Sequence, residues 1–404
     1  MPQPHQKRRP PIPPAVIRTT TQTLADIFLR DTLASKAIAT ALKAQPRWTP
    51  DERAAFSTTI YDLVRHWRLL WFLQDHQPTC RQHDIPRLLD IYRLYKKTLA
   101  DPNAPTPLHN RLRQTNANRA IRESIPDWLD TACAAELGHR WDSILHALNT
   151  PPPLTLRTNT LKITRARLTL ALKEEGIHPT PLPWAPDTLC LPARANVFRL
   201  RSFQQGYFEV QDPASQMVSR LLDPKPGMRV TDACAGEGGK TLHLAALMNN
   251  TGRIIALDPS TQHLQQLRRR ATRAGADTIE TRILTAAKSI KRLTGTMDRV
   301  LIDAPCSGLG TLKKNPDIKW KLTPDALDRL RRLQRDLLDT YPALLKPDGR
   351  FVYAVCSILY SEGEQQTAAF LTRHKTYRLL REHRYSPDTD GTDGFYMALL
   401  QRTE

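Results

Sequence analysis

The sequence lacks the cysteine pattern of a zinc site or a disulfide framework. Its six cysteines (Cys80, Cys133, Cys190, Cys234, Cys306 and Cys356) are scattered, and no two form a C-x-x-C pair. No bound metal is expected, and thiols without partners suit a reducing, cytoplasmic compartment. Long apolar runs are missing too. None approaches the roughly 18 residues of a membrane span, so no membrane partner is expected. The basic start (Lys7, Arg8, Arg9) runs into prolines instead of the apolar stretch of a secretory signal. No repeat recurs at a fixed period. Acidic residues are also in deficit: 40 Asp and Glu face 59 Lys and Arg, a net charge of +19 over 404 residues. That balance points to a polyanion, most simply nucleic acid. A generic basic surface is the plain alternative.

What is present falls into blocks. Residues 1–14 are proline-rich and basic, and read as a disordered tail. Residues 15–120 carry helical signals. Thr49-Pro50-Asp51-Glu52 has the form of a capping box with proline at the first helical position, and Phe56, Ile60, Leu63, Val64 and Trp67 follow at helical spacing. Trp67, Trp71 and Phe72 read better as core than as a binding face. Asp101–Pro107, with three prolines, reads as a loop. Residues 121–205 hold linker helices and, after Pro151-Pro152-Pro153, a small α+β segment. Residues 206–404 alternate short apolar strands with amphipathic helices. Strands are predicted at 229–232, 253–258, 298–303 and 350–355, and helices at 241–248, 261–274 and 324–345. Such alternation predicts an α/β parallel sheet.

Chemistry concentrates at four strand ends. The first is Asp232-Ala233-Cys234-Ala235-Gly236-Glu237-Gly238-Gly239-Lys240-Thr241, a strand followed by a glycine turn and a helix start. A phosphate-binding P-loop needs glycine where Cys234 stands, and a dinucleotide fingerprint needs it at Thr241. The loop therefore suits a nucleotide-like ligand without a required pyrophosphate; a structural glycine turn is the alternative. The second strand ends in Asp258, twenty residues after Gly238, a spacing that suits a ribose diol. An Asp there also serves simply as a cap for Pro259 and Ser260. The third ends Asp303-Ala304-Pro305-Cys306-Ser307, and the fourth ends Val355-Cys356-Ser357. Two strand-end thiols can meet at one site. Two buried structural cysteines are the competing reading.

These motifs resemble the RsmB/Sun family of S-adenosylmethionine-dependent RNA (cytosine-5) methyltransferases. The resemblance rests on Asp232–Thr241, Asp303–Thr311 and Cys356-Ser357. Gly206–Gln216, Asn315–Trp320, Pro153–Lys162, Ser124–Leu129 and Asp393–Ala398 extend it over about residues 120–402. It implies a Rossmann-like seven-stranded methyltransferase sheet, a small α+β RNA-side subdomain and an N-terminal all-α domain. By pattern and position, residues 15–120 resemble the NusB-like domain of the bacterial 16S rRNA branch. The resemblance assigns Cys356 as nucleophile at cytosine C6 and Cys306 to product release. Asp303 holds the base edge, and it also counts with the cofactor residues. Cys234, Ala235, Gly236, Glu237, Gly238, Gly239, Lys240 and Asp258 are assigned to S-adenosylmethionine. Arg157, Lys162, Lys313 and Lys314 are expected on RNA phosphates, and a monomer is expected. The sequence departs from the family at Gly236-Glu237, at Ile283–Ala287, which lacks the adenine-side Asp, and at Tyr360-Ser361-Glu362-Gly363-Glu364 behind the nucleophile. Methylation of tRNA and a non-catalytic ribosome assembly factor are the alternative functions.

Overall fold

Chain contacts divide the molecule into two units, with one boundary after Ala135. The computed structural model describes residues 13–101, 107–191, 196–284 and 288–403. One unit comprises the chain up to Ala135 with Asn315–Lys321, and the other comprises Glu136–Lys314 with Leu322–Glu404. Most of the expected tail, residues 1–12, lies outside the described residues, as do 102–106 of the expected proline loop. The first helix already begins at Pro14. Among the described residues, no helix is long and apolar enough to cross a membrane.

The first unit is all-helical. Its main helices are Pro14–Phe28, Ala34–Lys43, Pro50–Arg65, Trp67–Leu73 and Ile85–Ala100. Thr49 Oγ1 accepts from Glu52 N while Glu52 Oε2 accepts from Thr49 N, so both halves of the capping box form. Leu24, Ile60, Leu63, Trp71 and Leu88 build one apolar core. Trp67 and Trp71 are buried edge to face, their centroids 5.4 Å apart. The segment Asn315–Lys321 belongs to this unit. Trp320 Nε1 donates to Val64 O at 2.8 Å, and the buried Lys319 ammonium donates to Arg65 O at 2.7 Å.

The second unit holds two sheets. The smaller comprises β1 (Leu154–Thr158), β2 (Thr180–Pro181), β3 (Thr188–Leu191) and β4 (Phe208–Val210), in the order β2-β3-β1-β4. Every pairing in it is antiparallel. Helix Arg165–Glu174 covers it, and Leu156, Leu168, Leu172 and Phe208 close its core. The larger sheet comprises β5 (Arg229–Asp232), β6 (Arg253–Asp258), β7 (Ile279–Ile283), β8 (Met297–Asp303), β9 (Leu345–Val355), β10 (Tyr377–Tyr385) and β11 (Phe395–Arg402). Its order is β10-β11-β9-β8-β5-β6-β7. The five strands β5 to β9 run parallel, and β11 is antiparallel to both neighbours.

Both faces of this sheet are covered. Ile254 and Ala256 of β6 enter one apolar core, and Ile255 and Leu257 enter the other. A strand buried on both faces needs a continuous apolar run, which is why β6, β8 and β9 are legible in sequence. The sheet is wound in both directions from β5, which pairs with β6 on one side and β8 on the other. Ligands of open α/β sheets bind outside the carboxyl ends at such a reversal. Asp232, Asp258, Asp303 and Cys356 all stand at those ends.

Candidate active site

The turn after β5 is built around two left-handed glycines. Gly236 has φ +53° and Gly238 has φ +87°. A Cβ on Gly238 would lie 2.6 Å from Leu267 Cγ, so that position has no room for a side chain. A Cβ on Gly236 would meet nothing within 4 Å, which leaves open space over the turn. Helix Gly239–Leu247 starts with no side-chain cap, so its first N–H groups remain available to a ligand. Asp258 binds back to the turn: Gly236 N donates to its Oδ2 at 2.9 Å. Ser260 N donates to its Oδ1 at 2.8 Å. Asp258 thus supports the next helix start and also faces the glycine turn. An uncapped helix start, open space and a strand-end carboxylate fit a cofactor that is a nucleoside with a ribose diol. Asp232 is buried beneath the turn and accepts from Thr241 Oγ1 at 2.7 Å. Burial pushes its carboxyl up to about 7.

Lys240 continues the turn toward β8. Its ammonium lies 2.6 Å from Asp303 Oδ2 and 5.0 Å from the centre of the Phe395 ring. The sequence reading placed Lys240 only with the cofactor, and no spacing rule showed this contact. Beyond Asp303 the two thiols meet. Cys306 Sγ is 3.4 Å from Cys356 Sγ, and both are free. The hydrogen bond to Cys356 and burial together hold the Cys306 thiol well above its usual range. Backbone contacts fix the approach: Ala304 N donates to Ala354 O, and Gly310 N donates to Cys356 O. Behind the cysteines, Ser307 Oγ and Ser357 Oγ both donate to the buried Glu362 carboxylate.

Sequence comparison gives this geometry a context. The family model for 16S rRNA methyltransferase RsmB/F matches residues 219–401, and that for the RsmF/B-like ferredoxin-like domain matches residues 125–198. The chain is 34% identical to ribosomal RNA small subunit methyltransferase B of Vibrio cholerae, over 72% of this chain and 68% of that one. The chain belongs to the RsmB/F family of rRNA methyltransferases. A probable small subunit methyltransferase B of Synechocystis is 31% identical over 88% of each chain. The crystal structure of PH0851 superposes with a TM-score of 0.80 at 27% identity, covering 98% of this chain and all of the other.

As a member of the RsmB/F family, the chain is an RNA methyltransferase with the Rossmann-like sheet expected of it. Its assignment of phosphate-binding cations needs correction. Arg157 is 2% exposed and donates to Gly239 O and to Gln211 Oε1. It braces the glycine turn and cannot meet a phosphate. Lys313 is buried, 3.4 Å from Pro387 O. Lys314 is bound between Asp212 and Asp393 at 2.8 and 2.7 Å. Lys162 is exposed, although its ammonium also donates to Gln205 O and Arg273 O. The Glu237 side chain is 60% exposed, its carboxylate 3.9 Å from Arg270 Nη1. Thr285–Ala287, where the adenine-side Asp is missing, lie outside the described residues.

Proposed function

We propose that the chain is an S-adenosylmethionine-dependent RNA cytosine-5 methyltransferase that acts on 16S rRNA through a covalent cysteine adduct. The Cys306–Cys356 contact beside the Lys240–Asp303 pair carries this reading. Cytosine C5 is a weak nucleophile. Addition of the Cys356 thiolate at C6 makes C5 enamine-like, which splits one difficult step into easier ones. Asp303, held by Lys240, receives the N3 and N4 edge of the base and stabilises charge that develops there. The cofactor supplies the methyl group, with the Cys234–Lys240 turn and Asp258 holding it.

Cys306 serves the second half of the reaction. The first cause of its raised pKa is the hydrogen bond to Cys356. That bond is lost once Cys356 Sγ is joined to C6. Cys306 then ionises more readily, at the stage where the C5 proton must leave and Cys356 must be expelled. A base inside a stacked helix cannot reach these groups, so the target cytosine is unstacked or flipped. The substrate assignment follows the names of the small subunit relatives.

The test is a trap. Cys306→Ala protein is incubated with S-adenosylmethionine and unmodified 16S rRNA, then run on a denaturing gel beside the Cys306→Ala/Cys356→Ala double variant. An RNA–protein band in the first that is missing from the second supports the mechanism, and sequencing the attached RNA locates the target. No band, together with no cofactor binding by the wild type, would favour a non-catalytic assembly factor. An adduct on tRNA alone would move the substrate.

A further inference from the structure

We propose that Glu362 is the positioning residue of the two-cysteine centre, its carboxylate tying the turn after Cys306 to the turn after Cys356 and setting how the thiols divide their work. The proposal rests on the reading of Cys356 as nucleophile. Glu362 is 0% exposed. Its Oε1 accepts from Ser307 N at 2.8 Å and from Gln334 Nε2 at 3.0 Å. Its Oε2 accepts from Ser307 Oγ and Ser357 Oγ, each at 2.5 Å. One carboxylate therefore grips the residue after each cysteine. Gln334 extends the grip to the residue before Cys306, donating to Pro305 O at 3.0 Å. Tyr353 Oη fixes the Glu362 backbone by donating to its carbonyl at 2.6 Å.

The four donors to the carboxylate are all neutral. Burying a carboxylate is costly unless it is fully hydrogen-bonded, and a neutral or apolar group would fill the same space at lower cost. What a carboxylate adds here is charge close to the thiols. The titratable groups facing Cys306 are Cys356, Glu362 and Tyr353. After the Cys356 bond, burial and the Cys356 charge, the Glu362 charge also raises the Cys306 pKa. The arrangement keeps the proton on Cys306 while Cys356 makes its attack. From the other side, the Arg384 guanidinium donates to Ser357 O at 3.0 Å and pairs with Glu364. The Cys356 turn is thus clamped between an acid and a base, with the acid on the Cys306 side.

The test compares wild type, Glu362→Gln and Glu362→Asp. Iodoacetamide labelling of the Cys306 and Cys356 peptides is followed against pH by mass spectrometry on RNA-free protein, and methyl transfer is measured on the same samples. In Glu362→Gln, Cys306 labelling is expected to move to lower pH and kcat to fall about 100-fold with KM for RNA unchanged. Glu362→Asp keeps the charge but shortens the arm, so kcat falls while the Cys306 profile stays. A folded Glu362→Gln protein with wild-type kcat and labelling overturns the proposal. Should that variant fail to fold, Ser357→Ala removes one arm of the clamp and keeps the charge, so kcat is expected to fall with the Cys306 profile unchanged, and a wild-type kcat overturns the proposal. A wild type that labels normally, with no cytosine adduct trapped in Cys306→Ala, would sink the cytosine reading, while the labelling comparison would still decide the role of Glu362.

Discussion

Lys240 Nζ sits 2.6 Å from Asp303 Oδ2, which joins the helix start after β5 to the end of β8. Lys240 is nearly buried, whereas the Asp303 side chain keeps 28% of its surface exposed. The ammonium occupies one oxygen of the carboxylate and leaves acceptor sites free for a base edge. Asp303→Asn is therefore expected to lower kcat by about 100- to 1000-fold. Radiolabelled methyl incorporation measures this, and calorimetry should find cofactor affinity little changed. A matching fall in cofactor affinity would place Asp303 among the cofactor residues instead.

Asp258 faces the same turn from β6. It still has acceptor capacity beyond its contacts to Gly236 N, Ser260 N and the His263 ring. Asp258→Asn should weaken S-adenosylmethionine binding by about 1.5–3 kcal/mol, the range for hydrogen bonds to a charged group. Titration calorimetry checks this. Ser260→Ala controls for the helix start, because Ser260 Oγ caps it by accepting from His263 N at 3.2 Å. Equal losses in both variants would reduce Asp258 to a local cap.

Gly310 marks where the two cysteine turns are pressed together. A Cβ there would stand 1.9 Å from Gly394 O and 3.0 Å from Cys356 O, both rigid backbone atoms. No flexible side chain can yield. Gly310→Ala should cost about 3 kcal/mol or more and displace Cys306 from Cys356. Thermal unfolding measures the first effect, and cross-linking of the two thiols by a short bifunctional reagent measures the second. A wild-type melting temperature would contradict this packing.

The sequence spoke most clearly where strands are buried on both faces. The observed bounds of β5 and β6 match the predicted ones, and β8 begins one residue earlier than predicted. The strand pattern did not pick out the edges β7 and β10, nor the central β11, which only the resemblance at Asp393–Ala398 touched. β10 reads Tyr-Arg-Leu-Leu-Arg-Glu-His-Arg-Tyr, charged and largely exposed, as an edge strand must be to avoid pairing with another chain. The two strand-end cysteines were legible as a pair because strand ends converge on one side of a parallel sheet. The clamp behind them was not. Glu362 stands in a polar stretch that reads as a loop, and only the fold shows that it turns inward. The same blindness misled the choice of cations. Arg157 and Lys314 look like any basic residues in sequence, and their burial depends on partners far along the chain, Gly239 and Asp393.

Arg157 offers a direct check on that correction. Burial pulls its guanidinium down to about 10, and it props the glycine turn through Gly239 O. Arg157→Met should cost about 2 kcal/mol of stability through the lost charged hydrogen bonds. The slope of RNA affinity against salt should not change, because no phosphate contact is lost. Lys162→Ala, at an exposed position, should reduce that slope by about one. Affinity measured over a salt series separates the two. A reduced slope for Arg157→Met would restore it to the RNA surface.

Asp232 makes stability depend on pH with an unusual sign. Its carboxyl titrates near 7 in the fold, raised first by burial and then by the Asp303 charge, against the negative pull of its Thr241 bond. In the unfolded chain an Asp titrates near 3.9. The folded state therefore binds the extra proton between these values, and its stability falls as pH rises through them. Asp232→Asn is neutral throughout and is spared that decline. Relative to wild type, the variant should gain up to about 1.4 kcal/mol for each pH unit between roughly 4 and 7, and little more above. Urea unfolding at a series of pH values measures the difference. A gain that runs the other way, largest in acid, would mean that Asp232 is held as a carboxylate, and that the Thr241 bond outweighs its burial.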